Sequence, residues 1–215
     1  MGIPVMILGE SGTGKSTSLR NLDPQTTLVI QAIDKPLPFR QDKWKSWDDE
    51  NKTGQIIVSD NWQYICNVVK GSHKYGKTQI IIDDCQYIMA NEYMRRCSET
   101  GFTKFTEIAN HMWQIIMSAQ STPPNVSVYF MSHTEQGEGG KTKAKTIGKM
   151  LDEKITLEGM FTIVFKTVID DGRYFFSTKN NGFDTVKTPM DMFSDTLIDN
   201  DLHTIDNTIK QYFGV

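Results

Sequence analysis

The chain has 215 residues, a formal net charge of −3 from 23 basic and 26 acidic residues, and three cysteines, Cys66, Cys85 and Cys97. That length suits one sizeable α/β core and is short for two, and the mixed charge argues against a generally basic coat for nucleic acid. Three separated cysteines without C-x-x-C spacing argue against a disulfide framework or a zinc site and point to a reducing, cytoplasmic setting. The reading is a single domain over residues 1–215, with no membrane association, because the early apolar run ends at Gly9, too soon for a signal peptide or a membrane span.

Ile3 to Leu8 is apolar and β-branched and reads as the first strand; GESGTGKST, Gly9 to Thr17, follows it directly. Gly9, Gly14, Lys15 and Ser16 satisfy G-x-x-x-x-G-K-[ST] between a strand and a segment that can be helical, which makes the stretch a P-loop. Glycines at Gly9, Gly12 and Gly14 let the N–H groups of Gly9, Glu10, Ser11, Gly12, Thr13, Gly14, Lys15, Ser16 and Thr17 turn around a phosphate chain at the positive end of a helix. Lys15 would reach the β- and γ-phosphates, and the hydroxyl of Ser16 would ligate Mg²⁺.

The first helix is expected from about Lys15 to Asn21, closed by Asp23-Pro24, and Thr26 to Gln31 reads as the second strand. Gln41 to Gly54, polar with Trp44 and Trp47 embedded, reads as a surface excursion. Ile56 to Val58 is a short strand, and Asp60 with Gln63 forms a capping box for a helix to about Lys70. TQIIIDDC is apolar until Asp83 and Asp84 end it, as suits a strand buried on both faces of a parallel sheet. Phe105, Ile108, Ala109, Met112, Trp113, Ile116 and Ala119 then trace one helical stripe for core packing. NVSVYFMSH is a further strand, and TIVFKTVIDDGRYFFST reads as a strand, a D-G turn and an antiparallel partner. Leu202, Ile205, Ile209 and Tyr212 mark a last helix. Alternating strands and helices imply an α/β fold: a mostly parallel sheet with helices on both faces, closed by the antiparallel hairpin and helix from about residue 160.

A P-loop needs a second acid at the end of a neighbouring strand to hold Mg²⁺, and Asp83 supplies it with Asp84 beside it. Room for a complete strand between the two motifs places the chain in the additional-strand division of P-loop NTPases. Guanine specificity is unsupported: no Asp-x-x-Gly follows Asp83, and TKNN, Thr178 to Asn181, only approaches Asn-Lys-x-Asp. The few arginines, Arg20, Arg40, Arg95, Arg96 and Arg173, offer no kinase-like lid. ATP is the nucleotide that remains, with Mg²⁺.

The N-terminal P-loop, the extra strand, IIIDD, the strand ending in MSHTE, the Gly/Lys-rich loop and the closing hairpin resemble the phage single-domain P-loop ATPases with a RecA-like core. These are AAA-type ATP-binding proteins, some of which act in single-strand annealing or recombination. The resemblance spans Met1 to about Thr178. In that family the strand after the first helix usually ends in a glutamate that polarises the attacking water; here Gln31 and Asp34 stand there, and Asp84 is the rival base. His133 matches the polar sensor of the γ-phosphate. The loop TEQGEGGKTKAKTIGK falls where RecA-like proteins contact DNA, which makes Lys141, Lys143, Lys145 and Lys149 candidates for a phosphate chain. A homo-oligomer would complete the site with a neighbour's cation, for which Lys166, Arg173 and the Arg95-Arg96 pair are candidates. The resemblance implies an ATPase, slow on its own, acting on single-stranded DNA in phage recombination or replication, with a phage single-strand binding protein as a further partner. A motor or loader acting on a protein, and a nucleotide-binding structural protein, are the alternatives.

Overall fold

The computed structural model describes residues 1–215, the side chains of Glu138 and Asp152 excepted. Its strands in chain order are β1 (Ile3–Leu8), β2 (Thr27–Gln31), β3 (Ile56–Val58), β4 (Gln79–Asp83), β5 (Ser127–Ser132), β6 (Thr134–Gln136), β7 (Thr142–Ala144), β8 (Ile163–Asp170), β9 (Arg173–Ser177) and β10 (Leu197–Asp199). The helices are α1 (Trp62–Gly71), α2 (Gln86–Arg95), α3 (Thr103–Gln120) and α4 (Leu202–Phe213). Eight strands form one sheet in the order β10-β9-β8-β1-β5-β4-β2-β3, and β6 and β7 make a separate two-stranded ribbon.

The six strands from β8 to β3 run parallel, and β9 and β10 add antiparallel at the β8 edge. β5 lies between the P-loop strand β1 and the aspartate strand β4, which is the additional-strand, RecA-like arrangement. The order of the motifs in sequence suggests β2 as the extra strand; in space β2 lies outside β4, and the inserted strand is β5. Leu8 pairs in register with Ser132, and Gln31 with Asp83, so β1, β2, β4 and β5 end together at one crest. Open α/β sheets place ligand groups at such a crest.

Central strands are apolar throughout because both faces are covered. Met6, Leu8, Ile80, Ile82 and Phe130 pack towards α1, α2 and α3. Val5, Ile7, Ile81 and Met131 face the other way, against Leu19 and the Leu202, Ile205 and Ile209 stripe of α4. Tyr129 shares that second face and donates its hydroxyl to Asp206 of α4 at 2.7 Å. The β8–β9 hairpin turns at Asp171 (φ 46°) and Gly172 (φ 70°), two left-handed residues as a tight D-G turn requires.

Several expectations need correction. The segment after the P-loop is a 3-10 helix, Ser16–Asn21, rather than an α-helix. The cap of α1 is Asn61, whose side chain accepts from the Tyr64 N–H, and Asp60 instead pairs with Arg95. Trp44 is buried, with its ring edge-on to Phe39 at 5.9 Å, so the polar stretch around it is anchored in the core rather than lying on the surface. The Gly/Lys-rich loop is not open chain but the β6–β7 ribbon.

Candidate nucleotide site

The P-loop fits its place because of its glycines, Gly9 and Gly14 among them. A Cβ on Gly9 would lie 1.9 Å from the Thr167 hydroxyl oxygen on β8, and Gly14 has φ +97°, a conformation that L side chains rarely adopt. Thr13 fastens the loop, donating to the Glu10 carbonyl at 2.7 Å and meeting the Thr167 hydroxyl at 2.6 Å. Because the segment that follows is one short 3-10 stretch, the helix-end field expected from the sequence is small. An anion cradle here rests on the loop N–H groups and Lys15.

Lys15 is buried, and its ammonium donates to the carbonyls of Gly9 at 2.7 Å and Glu10 at 2.9 Å. Burial pushes its pKa down, against the opposing pull of Asp84 and Asp83. The Ser16 hydroxyl sits 3.0 Å from each carboxylate oxygen of Asp83, at the end of β4. Asp83 is almost wholly buried, and burial, followed by the neighbouring Asp84, raises its pKa. Hydroxyl and carboxylate oxygens are the donors that Mg²⁺ takes, and these two converge, so the pair fits that ion.

Asp84 follows with φ +51°, a left-handed residue that turns its carboxylate back over the crest. It is buried, forms an ion pair with Lys35, and lies 3.3 Å from His133 Nε2. Lys35 belongs to the loop after β2. Gln31, buried at the end of β2, donates its amide to the Lys35 carbonyl at 3.0 Å, and Pro36 holds the lysine backbone extended. Burial works against the Lys35 charge, yet the hydrogen bond to Asp84 and the field of Asp83 leave its pKa raised. For His133, burial and then the Lys15 cation hold the pKa below its ordinary value.

Lys15, Ser16, Asp84, His133 and Lys35 line one cavity of about 230 Å³, together with Ser11, Gly12, Gly14 and Thr17 of the P-loop. Asp34 is exposed and is not part of that lining. Glu10 and Thr13 contribute through loop geometry. Lys35 went unread in the sequence because no motif marks it.

The His133 carbonyl accepts from the Lys145 N–H at 2.9 Å, and so joins the cavity to the ribbon. Ala144 is buried on the inner face of the ribbon, its N–H donating to the buried carboxylate of Glu158 at 2.7 Å. With a period of two, Lys141, Lys143 and Lys145 share the outer face. Lys143 stands 3.8 Å from Glu135 across the ribbon, and Lys149 pairs with Glu153 at 3.1 Å outside it. Lys141 and Lys145 are exposed.

Of the cations considered for a neighbouring subunit, Lys166 pairs with buried Asp184 at 2.6 Å and Arg95 with Asp60 at 2.6 Å. Arg96 is held by Glu92, Glu99 and Glu107. Arg173 is exposed, 3.5 Å from Asp199.

A second cavity, of about 580 Å³, opens beside Thr17 and Arg20 and is bounded by Tyr174 and Asn200. The Asn200 N–H donates to the Tyr174 carbonyl at 3.3 Å, and its own carbonyl accepts from Arg20 at 2.6 Å. Its side-chain amide is buried with neither the nitrogen nor the oxygen hydrogen-bonded, an arrangement that calls for an explanation. Sequence reasoning missed this residue too, since a lone Asn before a helix reads as a cap.

No protein-family profile and no curated protein matches the chain. Among solved structures it is similar to a KaiC-like protein, PH0186, from the hyperthermophilic archaeon Pyrococcus horikoshii OT3, at 15% identity and a TM-score of 0.44 over 82% of this chain and 77% of that one. It is also similar to the genome packaging NTPase B204 from Sulfolobus turreted icosahedral virus 2, solved in complex with ATP-gammaS, at 12% identity and a TM-score of 0.41 over 79% and 76%. At these values it is the strand order and the P-loop of this chain itself that carry the fold.

Proposed function

We propose that the chain is a Mg²⁺-dependent, RecA-like ATPase that links nucleotide turnover to the β6–β7 ribbon and, through it, to single-stranded DNA in phage recombination or replication. The observation that carries the ATPase reading is the contact of the Ser16 hydroxyl with both Asp83 oxygens directly below the P-loop. Ser16 and Asp83 would hold Mg²⁺, and the positive charge it supplies would offset the negative charge of the phosphates. Lys15 would leave the Gly9 and Glu10 carbonyls for the phosphates. Asp84 serves as the base that takes a proton from the attacking water, and His133 senses the γ-phosphate.

The purine base is assigned to the cavity beside Thr17. The unpaired Asn200 amide offers a donor and an acceptor to the edge of adenine once Tyr174 turns aside, while the preference for adenine over guanine rests on the absence of a guanine-reading motif. The DNA part of the reading is supported by Lys141 and Lys145, exposed on one face of a ribbon bonded to His133. Phosphate contact without base reading is what such lysines provide. Self-assembly along the strand belongs to the same proposal, with Arg173 as the exposed cation nearest to hand. A protein-directed motor is the second reading, favoured by the glutamates that already partner Lys143 and Lys149.

Hydrolysis of ATP, and of GTP in its place, measured with Mg²⁺ or EDTA and with or without single-stranded DNA, tests these readings together. The proposal expects Mg²⁺-dependent, adenine-selective turnover that DNA stimulates. Turnover indifferent to DNA would favour the protein-directed motor, and binding without turnover would leave a structural nucleotide site.

A further inference from the structure

Lys35 is the charged side chain of the P-loop cavity that neither the P-loop nor the strand-end aspartates account for. It enters from the loop after β2 and brings a second cation beside Lys15 into the cavity. Its backbone is built to stay. Gln31 holds its carbonyl at 3.0 Å, Pro36 restricts its φ and ψ, and Leu37 is buried behind it. Its side chain is free to travel, being 41% exposed on a flexible four-carbon stem, whereas its partner Asp84 is only 6% exposed.

We propose that Lys35 supplies, from the same chain, the cation that faces the γ-phosphate of ATP, and that its ion pair with Asp84 is a latch which the γ-phosphate opens. This rests on the ATPase reading of the same site. With the latch closed, Lys35 occupies one Asp84 oxygen and His133 approaches the other at 3.3 Å, so the carboxylate is engaged on both sides. A γ-phosphate carries more negative charge than one carboxylate and lies within the same cavity, so the ammonium exchanges partners. The exchange puts a positive charge where charge develops during transfer and frees Asp84 as a base. Transfer then balances as ATP and water giving ADP and inorganic phosphate. The water oxygen bonds to the γ-phosphorus, the bond from that phosphorus to the β–γ bridging oxygen breaks, and the water proton passes to Asp84, which hands it on to the departing phosphate and is ionised again. ADP lacks the charge that draws Lys35 away, and the latch closes again. A neighbour's cation is then not required for basal turnover.

The test compares ATP and ADP affinity, by isothermal titration with Mg²⁺, with turnover at several protein concentrations, for the wild type and three variants whose folding is checked by thermal melting. Lys35→Met should leave ADP affinity unchanged, lower ATP affinity about tenfold through loss of one charged contact, and cut turnover by about a hundredfold or more. Lys35→Arg should restore the preference for ATP over ADP. Asp84→Asn should lose turnover yet bind ATP more tightly than the wild type does, because nothing competes for Lys35. Wild-type turnover per chain should not rise with protein concentration. If Lys35→Met keeps the wild-type ATP preference and rate, or Asp84→Asn binds ATP no more tightly, the latch is overturned and the ATPase reading survives. A wild type that binds neither nucleotide overturns both.

Discussion

In and beside the P-loop cavity the ionisable side chains come from four separate stretches of chain and are mostly withdrawn from water: Lys15 from the P-loop, Lys35 from the loop after β2, Asp83 at the end of β4 with Asp84 after it, and His133 just after β5. On the β6–β7 ribbon the lysines come from one hairpin and face solvent, with Glu135 opposite Lys143. Burial makes each charge of the cavity depend on a particular partner, since an unpaired buried charge is costly. Solvent makes the ribbon charges additive and nearly interchangeable, because exposed pairs contribute little and are screened. Single substitutions should therefore give all-or-none losses in the cavity and graded losses on the ribbon.

The largest effect belongs to Lys15→Ala. It should abolish measurable nucleotide binding in a chain that still folds, since Lys15 lies in a loop and contributes charge rather than apolar packing. Unchanged ATP affinity in the folded variant would break the comparison at its root. Next comes Asp83→Asn, which should cost turnover by about a hundredfold and blunt its response to Mg²⁺. Asp34→Asn, at an exposed position outside the cavity, should hydrolyse ATP like the wild type. A rate lost in Asp34→Asn instead would move the base to the loop after β2.

Graded behaviour is the expectation for the ribbon. Replacing Lys141 and Lys145 together with alanine should lower the slope of log affinity for single-stranded DNA against log salt by about 1.4, or about 0.7 for each phosphate that a lysine no longer neutralises. Lys143→Ala should change it less, because Glu135 already stands beside that ammonium. Equal effects from all three positions would mean that the Glu135 pairing gives way on binding.

The smallest effect concerns pH. Burial and the nearby Lys15 cation hold His133 below its ordinary pKa of 6.5, so the folded chain takes up this proton less readily than the unfolded chain does. The contribution of the neutral ring to stability is therefore fully present above 6.5 and is lost as the pH falls below that value. His133→Asn should flatten the decline of melting temperature just on the acid side of that point. A decline as steep as in the wild type would assign it to carboxylates instead.

Much of this molecule is legible in the order of its residues. The P-loop, the Asp83-Asp84 strand end, the stripe of α3 and the D-G hairpin were readable because each depends on spacings of a few residues that backbone geometry imposes. Helix α2 was missed: polar residues such as Asn91 and Glu92 interrupt its apolar positions, and it is held by packing against α3 rather than by its own pattern. The burial of Trp44 was missed for a related reason, since a polar neighbourhood in sequence does not reveal that Phe39 and the core lie against the ring.

What the sequence by itself determined is the P-loop, the Ser16 and Asp83 side chains that flank it and the alternation of strands and helices, all of which rest on local stereochemistry. Tertiary structure alone decided that Lys35 meets Asp84 from 49 residues away, that Asn200 comes to the P-loop with an unpaired amide, and that the Lys145 N–H bonds to the His133 carbonyl. Those juxtapositions arise where the parallel strands end at one crest and the β9–β10 edge folds back towards it, an outcome of register and packing between distant segments that no short spacing encodes.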